Sequence, residues 1–64
     1  MKRRDLERHL RKHGCRMLDE GSNHTRWAGP EGVRSVIPRR REISYRLARK
    51  ICKDLEVPPL SGPR

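Results

Sequence analysis

The sequence has few of the side chains that build a large hydrophobic core. It contains no phenylalanine, Trp27 and Tyr45 are its only tryptophan and tyrosine, and 31% of its 64 residues are apolar. A chain this short buries a smaller share of its surface than a typical domain does, and its stability is correspondingly marginal. We therefore expect one small domain without a deep substrate pocket, so that any functional site lies on the surface.

Long apolar segments are also missing. No apolar run approaches the ~20 residues that span a bilayer, and we expect no membrane partner. The basic start at 1–4 resembles the beginning of a signal peptide, but polar Asp5 and Glu7 follow where an apolar stretch is required. We therefore expect a cytoplasmic protein. In that compartment Cys15 and Cys52 are better interpreted as small, partly buried thiols than as a disulfide or redox pair.

Side chains arranged to hold a metal or a cofactor are scarce. Asp19, Glu20 and Glu42 lack the paired spacing that metal-dependent nucleases and glycosidases need. His9 and His13 are four residues apart on a predicted helix, which suits a metal, but no convincing further ligand accompanies them. We predict neither a bound metal nor a small-molecule cofactor.

Positive charge is what the sequence has in excess. Seventeen Lys and Arg residues against eight Asp and Glu give a formal net charge of +9. Such an excess informs about partners rather than about fold, and it predicts binding to a polyanion. With membrane disfavoured, nucleic acid is the polyanion that the composition favours.

Hydrophobic periodicity predicts a helix near each end of the chain. Leu6 and Leu10 recur at helical spacing within 3–13, and Gly14 is a residue type that commonly ends a helix. Ser44 is a good N-cap for a second helix. The apolar stripe of that second helix is formed by Leu47, Ala48, Ile51, Cys52 and Leu55.

Three short segments rich in strand formers lie between the helices, at 15–19, 24–28 and 33–37. Turn residues at 21–23 and 29–32 separate them, and such short links favour an antiparallel meander. The predicted fold is α+β in the order αβββα, with a three-stranded antiparallel sheet and both helices on one face. Double-stranded-RNA-binding domains have a similar order.

Alternation along the second strand assigns its side chains to two faces. Thr25 and Trp27 share one face, whereas His24, Arg26 and Ala28 share the other. As the only large apolar aromatic, Trp27 is better explained as core than as a base-stacking residue. We therefore expect His24 and Arg26 on the open face of the sheet.

The order of short motifs along the chain is more specific than its charge. The motifs, over about positions 2–57, are Arg11-Lys12-His13-Gly14, Gly21-Ser22-Asn23-His24, Trp27, Pro30-Glu31-Gly32, Val36-Ile37-Pro38-Arg39 and the Leu47–Leu55 helix. In this order the sequence resembles the HicA family of small bacterial and archaeal toxins, which are mRNA interferases held inactive by a HicB antitoxin.

The resemblance implies a single HicA-like domain at 1–57, a C-terminal tail at 58–64, and the toxin role in a type II toxin–antitoxin system. Its implied partners are mRNA and a HicB-like antitoxin protein. In the family the histidine of the Gly-Ser-x-His motif is catalytic, and it corresponds here to His24. Many relatives carry a basic residue or a histidine after the Pro-Arg that ends the third strand, and here that residue is Arg40, so this loop lacks a second histidine.

RNA carries its own nucleophile, the 2′-hydroxyl beside the scissile phosphate. A histidine, with an ordinary pKa of ~6.5, can remove that proton or protonate the leaving 5′-oxygen, and guanidinium groups can stabilise the charge that develops. We predict metal-independent cleavage with His24 as general acid or base. The arginines predicted to bind RNA are Arg16, Arg26, Arg34, Arg39 and Arg40.

Backbone N–H groups at Gly21 and Ser22 are further candidates for holding a phosphate oxygen. An ordinary hairpin turn explains Gly21 better and Ser22 equally well. Two other functions stay open: a non-catalytic RNA-binding module with the same basic surface and, less favoured because no helix-turn-helix pairing is evident, a DNA-binding partner of a larger regulator.

Overall fold

The protein folds as the sequence predicts, with two helices flanking three strands. The computed structural model describes residues 1–60, so the predicted tail at 58–64 lies partly outside the described residues. The elements are α1 (Arg3–Lys12), β1 (Arg16–Glu20), β2 (His24–Ala28), β3 (Arg34–Pro38) and α2 (Tyr45–Asp54). The strands form one antiparallel sheet with β2 in the centre. Within residues 1–60, neither helix is long and apolar enough to cross a membrane.

One face of the sheet carries the core. Leu6 and Leu10 of α1 and Ile51 of α2 are buried in one cluster with Trp27 and Ile37 of the sheet. Two helices with narrow apolar stripes can bury both stripes only by sharing one sheet face, which leaves the other face open. The open face is therefore the side of the sheet on which a partner can reach the strands.

Trp27 is the largest side chain in this core, and none of its surface is exposed. Its Nε1 donates a hydrogen bond to Thr25 Oγ1 at 3.0 Å, and that hydroxyl donates to the Ile37 carbonyl at 3.3 Å. Both polar side-chain groups on the buried face of β2 are thus satisfied, as buried groups must be. The Arg11 guanidinium lies 5.1 Å from the Trp27 ring centre, within the range of a cation–π contact.

Local signals set the boundaries of both helices. The Ser44 side chain accepts a hydrogen bond from the Leu47 N–H at 3.2 Å, which confirms the predicted N-cap of α2. Gly14, with φ of +88°, follows the end of α1 in the left-handed conformation that glycine adopts readily. Pro38, expected just beyond the third strand, lies within β3, which is an edge strand and tolerates the missing N–H.

An irregularity interrupts the pairing of β1 with β2. Met17 lies opposite Trp27, but the next paired residue, Asp19, lies opposite Arg26, so Leu18 is an extra residue on β1. Such a bulge bends the strand and changes which side chains face each other. Its consequence here is that Asp19 lies beside Arg26 on the open face.

We expect replacement of the α2 cap to weaken the fold. Ser44→Ala removes the acceptor for the Leu47 N–H and should lower the free energy of unfolding by about 1 kcal/mol. Ser44→Asp keeps an acceptor and adds negative charge at the helix start, so it should retain the wild-type stability. Urea unfolding followed by Trp27 fluorescence measures both variants. An equal decrease in the free energy of unfolding in both variants would contradict the capping role of Ser44.

The two cysteines are free thiols in the core. Burial raises the pKa of both Cys15 and Cys52 above the ordinary thiol value, and the neighbouring Cys52 raises that of Cys15 further. Because the thiolate is the reactive form, both should react slowly with a thiol reagent near neutral pH in the folded protein and rapidly in urea. Fast labelling of the folded protein would show that one thiol is accessible.

Candidate functional site

His24 is the first residue of β2, and its side chain is exposed on the open face, as predicted. The turn that precedes it is closed by a hydrogen bond from the Gly21 N–H to the His24 carbonyl at 2.7 Å. A Cβ on Gly21 would lie 3.0 Å from that same carbonyl oxygen, which explains the glycine. The N–H of Gly21 therefore serves the hairpin turn and is not free to hold a phosphate.

Arg39 fixes this turn from the opposite side. Its backbone N–H donates to the Asn23 carbonyl at 2.9 Å, and its Nη1 donates to the Gly21 carbonyl at 3.2 Å. The turn is thus held to the end of β3, where Pro38 lies opposite His24. A guanidinium has five N–H donors, so Arg39 keeps others for a ligand. Sequence reasoning did not assign Asn23 a role, because a backbone acceptor leaves no signal in a side-chain pattern.

A small recess of about 300 Å³ adjoins His24 on the β3 side, and its lining residues are Ser22, Asn23, His24, Pro38, Arg39 and Arg40. Two cations and a hydroxyl line it together with the imidazole, and none of residues 1–60 contributes a carboxylate to it. The structure thus brings together four residues that the sequence singled out separately: His24, Ser22, Arg39 and Arg40. Such a recess favours an anion of the size of a phosphate.

The β1 side of His24 has the opposite character. Here the recess includes Asp19 and Glu20, and Arg26 is hydrogen-bonded to Asp19 through Nε at 2.9 and 3.0 Å to the two carboxylate oxygens, with a further contact from Nη2. This hydrogen bond and the charge of Arg26 hold the pKa of the Asp19 carboxyl below its usual range. Arg26, which was predicted to bind RNA, is therefore ion-paired with Asp19, a carboxylate to which the sequence analysis assigned no chemistry.

A longer groove of about 510 Å³ runs from His24 between the open face of β3 and α2. Arg34 lies at its far end, four residues along β3 from Pro38, which corresponds to about 13 Å. Lys50 of α2 also lines it and forms an ion pair with Asp54 at 3.0 Å. This groove was not identified from the sequence, because the sequence could not show that α2 packs beside β3.

The open face near His24 also exposes two large apolar side chains, Leu18 at 37% and Val36 at 50%. Arg16 belongs to the same face, but it pairs with Ala28 at the other end of β2, about 13 Å from His24 along the strand. The structure therefore does not bring Arg16 to His24. Ala28 itself is buried although it follows the same alternation as His24.

The other two histidines lie apart from this site, on and just after α1. The His9 and His13 ring centres are 4.5 Å apart, and the Nε2 of His9 donates to the Pro58 carbonyl at 2.6 Å. A carbonyl oxygen only accepts, so His9 has a structural role in holding residues that follow α2 against α1. Within residues 1–60, no group of three or more His, Cys, Asp or Glu residues lies close enough to hold a metal ion.

One of the comparisons with known proteins gave a match. The family model described as the HicA toxin of bacterial toxin–antitoxin systems matches residues 3–57, from the first residue of α1 to beyond the end of α2. Neither the curated proteins nor the solved structures compared with the chain gave a match. The matched segment contains His24 and both recesses beside it. Because the match covers far more than half of the sequence, the chain belongs to the HicA family, the toxins of bacterial toxin–antitoxin systems.

Proposed function

We propose that this toxin is a metal-independent endoribonuclease of a type II system that cleaves mRNA in the cytoplasm, with His24 as general acid or base. The observation that carries the proposal is the recess on the β3 side of His24. There an exposed imidazole lies beside two arginines, and the lining includes no carboxylate from the residues that the structure describes. A phosphodiester is an anion that needs both a proton-transfer group and positive charge to be cleaved by its own 2′-hydroxyl.

The reaction forms a bond between the 2′-oxygen and phosphorus and breaks the bond to the 5′-oxygen. The 2′-hydroxyl loses a proton, the 5′-oxygen gains one, and the products end in a 2′,3′-cyclic phosphate and a 5′-hydroxyl. His24 performs one of these two proton transfers. Arg39 and Arg40 stabilise the extra negative charge on the phosphorane, and the Ser22 hydroxyl donates to a phosphate oxygen.

The second proton transfer has no histidine on the β3 side of His24, where Arg40 lies in the loop. We assign this transfer to solvent water, which reaches the exposed side chain of His24. The same observation favours a second candidate function, RNA binding without cleavage. Incubation of the purified protein with single-stranded RNA in EDTA separates the two, because cleavage without metal is expected only of the nuclease.

The HicB-like antitoxin is proposed to cover the open face of the sheet. This face combines the cations beside His24 with the exposed apolar side chains of Leu18 and Val36. An acidic partner with apolar contact residues complements such a surface, because interfaces place apolar groups at their centre and charged groups at the rim. Covering His24 would prevent RNA from reaching it.

His24→Ala should abolish toxicity. The variant loses its proton-transfer group, so RNA cleavage in EDTA should fall by at least about a hundredfold, and its expression should no longer arrest growth. His13→Ala is a matched control, because this histidine lies at the end of α1 and outside the His24 recess. Growth arrest by His24→Ala equal to that by wild type would remove His24 from the mechanism.

Asp19→Asn should strengthen RNA binding. The change removes the carboxylate that occupies Arg26, and a freed guanidinium can contact one more phosphate. In a His24→Ala background, affinity for single-stranded RNA should rise several-fold, and the slope of log affinity against log salt should steepen by about 0.7.

Glu20→Gln provides the control for this change. It removes the same charge from the neighbouring residue, which lies opposite Thr25 rather than Arg26. An equal gain in both variants would show that net charge, and not release of Arg26, determines the affinity.

A further inference from the structure

A second cationic groove lies away from the open face, where the start of α1 meets the loop after β3. Its volume is about 470 Å³, and its lining residues are Lys2, Arg3, Arg4, Arg39 and Arg41. All five lining residues are cations, and we name the feature the α1 groove. The recesses beside His24 differ from it, because uncharged side chains line them as well.

Most of this charge is not balanced within the protein. Over residues 1–60, Arg3 is the only one of the five with a carboxylate within 4.0 Å, that of Glu7 at 3.5 Å. Glu42 is close in the sequence, but its carboxylate lies 3.6 Å from the amino group of Met1. Five neighbouring cations with one acidic partner repel one another, and a bound anion would remove that repulsion.

Stabilisation of the helix start does not account for the cations at 2–4. Lys2 is the N-cap of α1 and provides no side-chain cap, and Arg3 and Arg4 occupy the first turn. That position favours negative charge, because the peptide dipoles leave the helix start positive. The sequence thus has cations where the helix itself would be more stable with acids.

The α1 groove and the His24 recess share one lining residue, Arg39. His24 lies opposite Pro38, and Arg41 follows three residues later, so at most about 11 Å of extended chain separates the two sites. A backbone hydrogen bond from the Arg3 N–H to the Arg41 carbonyl at 2.9 Å fixes α1 to this loop. One RNA strand can therefore contact both sites.

We propose that the α1 groove is a phosphate-binding subsite for the RNA strand that is cut at His24. This inference rests on the RNA binding in the proposed function and adds the path that the strand takes. It predicts contacts to the sugar-phosphate backbone without base specificity, because lysine and arginine side chains in such a groove meet phosphates rather than base edges.

The residues that line the α1 groove favour RNA over a protein as its ligand. Protein interfaces have an apolar and often aromatic centre, whereas no apolar residue of the described part of the chain, 1–60, lines the α1 groove. A phosphate backbone requires only positive charge at suitable spacing. The antitoxin is therefore assigned to the open face and RNA to the α1 groove.

The test uses the full chain with His24→Ala, so that RNA is bound but not cut. The added double variant Arg4→Ala/Arg41→Ala should weaken binding of a fluorescent single-stranded oligoribonucleotide by on the order of tenfold. It should also reduce the slope of log affinity against log salt by about 0.7 for each phosphate that the protein no longer neutralises. A very short oligoribonucleotide that fills only the His24 recess should bind equally well to both proteins.

The matched control is Arg8→Ala/Lys12→Ala, which removes the same charge from the exposed side of α1, away from Leu6 and Leu10. An equal loss of affinity in control and test variants would overturn the subsite. So would an unchanged RNA affinity in the test variant, including the case in which only antitoxin binding is weakened. Removal of Arg4 takes a positive charge away from the positive end of the α1 dipole, so the test variant should have a melting temperature no lower than that of wild type. Such a result excludes misfolding as the cause of weaker RNA binding.

The RNA-binding test of the α1 groove and the cleavage test of the proposed nuclease can fail separately. If the protein with His24 intact fails to cleave RNA in EDTA, the nuclease proposal fails, while a selective loss of affinity in Arg4→Ala/Arg41→Ala still supports the subsite. If cleavage occurs and Arg4→Ala/Arg41→Ala binds RNA as tightly as the protein without these changes, the nuclease proposal stands and the α1 groove has no part in RNA binding.

Discussion

The burial of Trp27 is the constraint on which the site depends. Strand residues alternate between faces, so fixing Trp27 beneath the helices sends His24 and Arg26 to the open face, and a slip of one residue would reverse both. The hydrogen bond from the Thr25 hydroxyl to the Ile37 carbonyl joins β2 to β3 in the observed register, in which these two residues lie opposite each other. In a chain with one tryptophan and no phenylalanine, no other side chain could anchor the sheet as strongly.

Features set by neighbouring residues could be predicted from the sequence, and features set by long-range packing could not. The order of elements, the Ser44 cap and the exposure of His24 follow from periodicity and local hydrogen bonds. The pairing of Asp19 with Arg26 was missed, because it depends on an extra residue in β1 that no alternation pattern indicates. The α1 groove was missed for a related reason. About 35 residues of chain separate its cations at the start of α1 from those in the loop after β3.

The distribution of charge around His24 is more informative than the total of +9. Carboxylates of Asp19 and Glu20 lie on the β1 side, whereas Arg39 and Arg40 lie on the β3 side. A polyanion approaching His24 is therefore repelled on one side and attracted on the other. This asymmetry favours the β3 side of His24 for a polyanion, which a uniformly basic surface would not.

The start of α1 shows how a marginally stable domain keeps a cluster of cations that its helix would disfavour. Without a side-chain cap, α1 is held instead by the Arg3–Arg41 backbone bond and by the bridge between Lys2 and Glu42. These contacts join the first turn to the loop after β3, so they position the cations and replace the missing cap at once. A polyanion that binds there stabilises the folded state by mass action, since the unfolded chain does not present the cluster. In the proposed complex with RNA, phosphate groups would relieve the repulsion between these cations that costs stability in the free toxin.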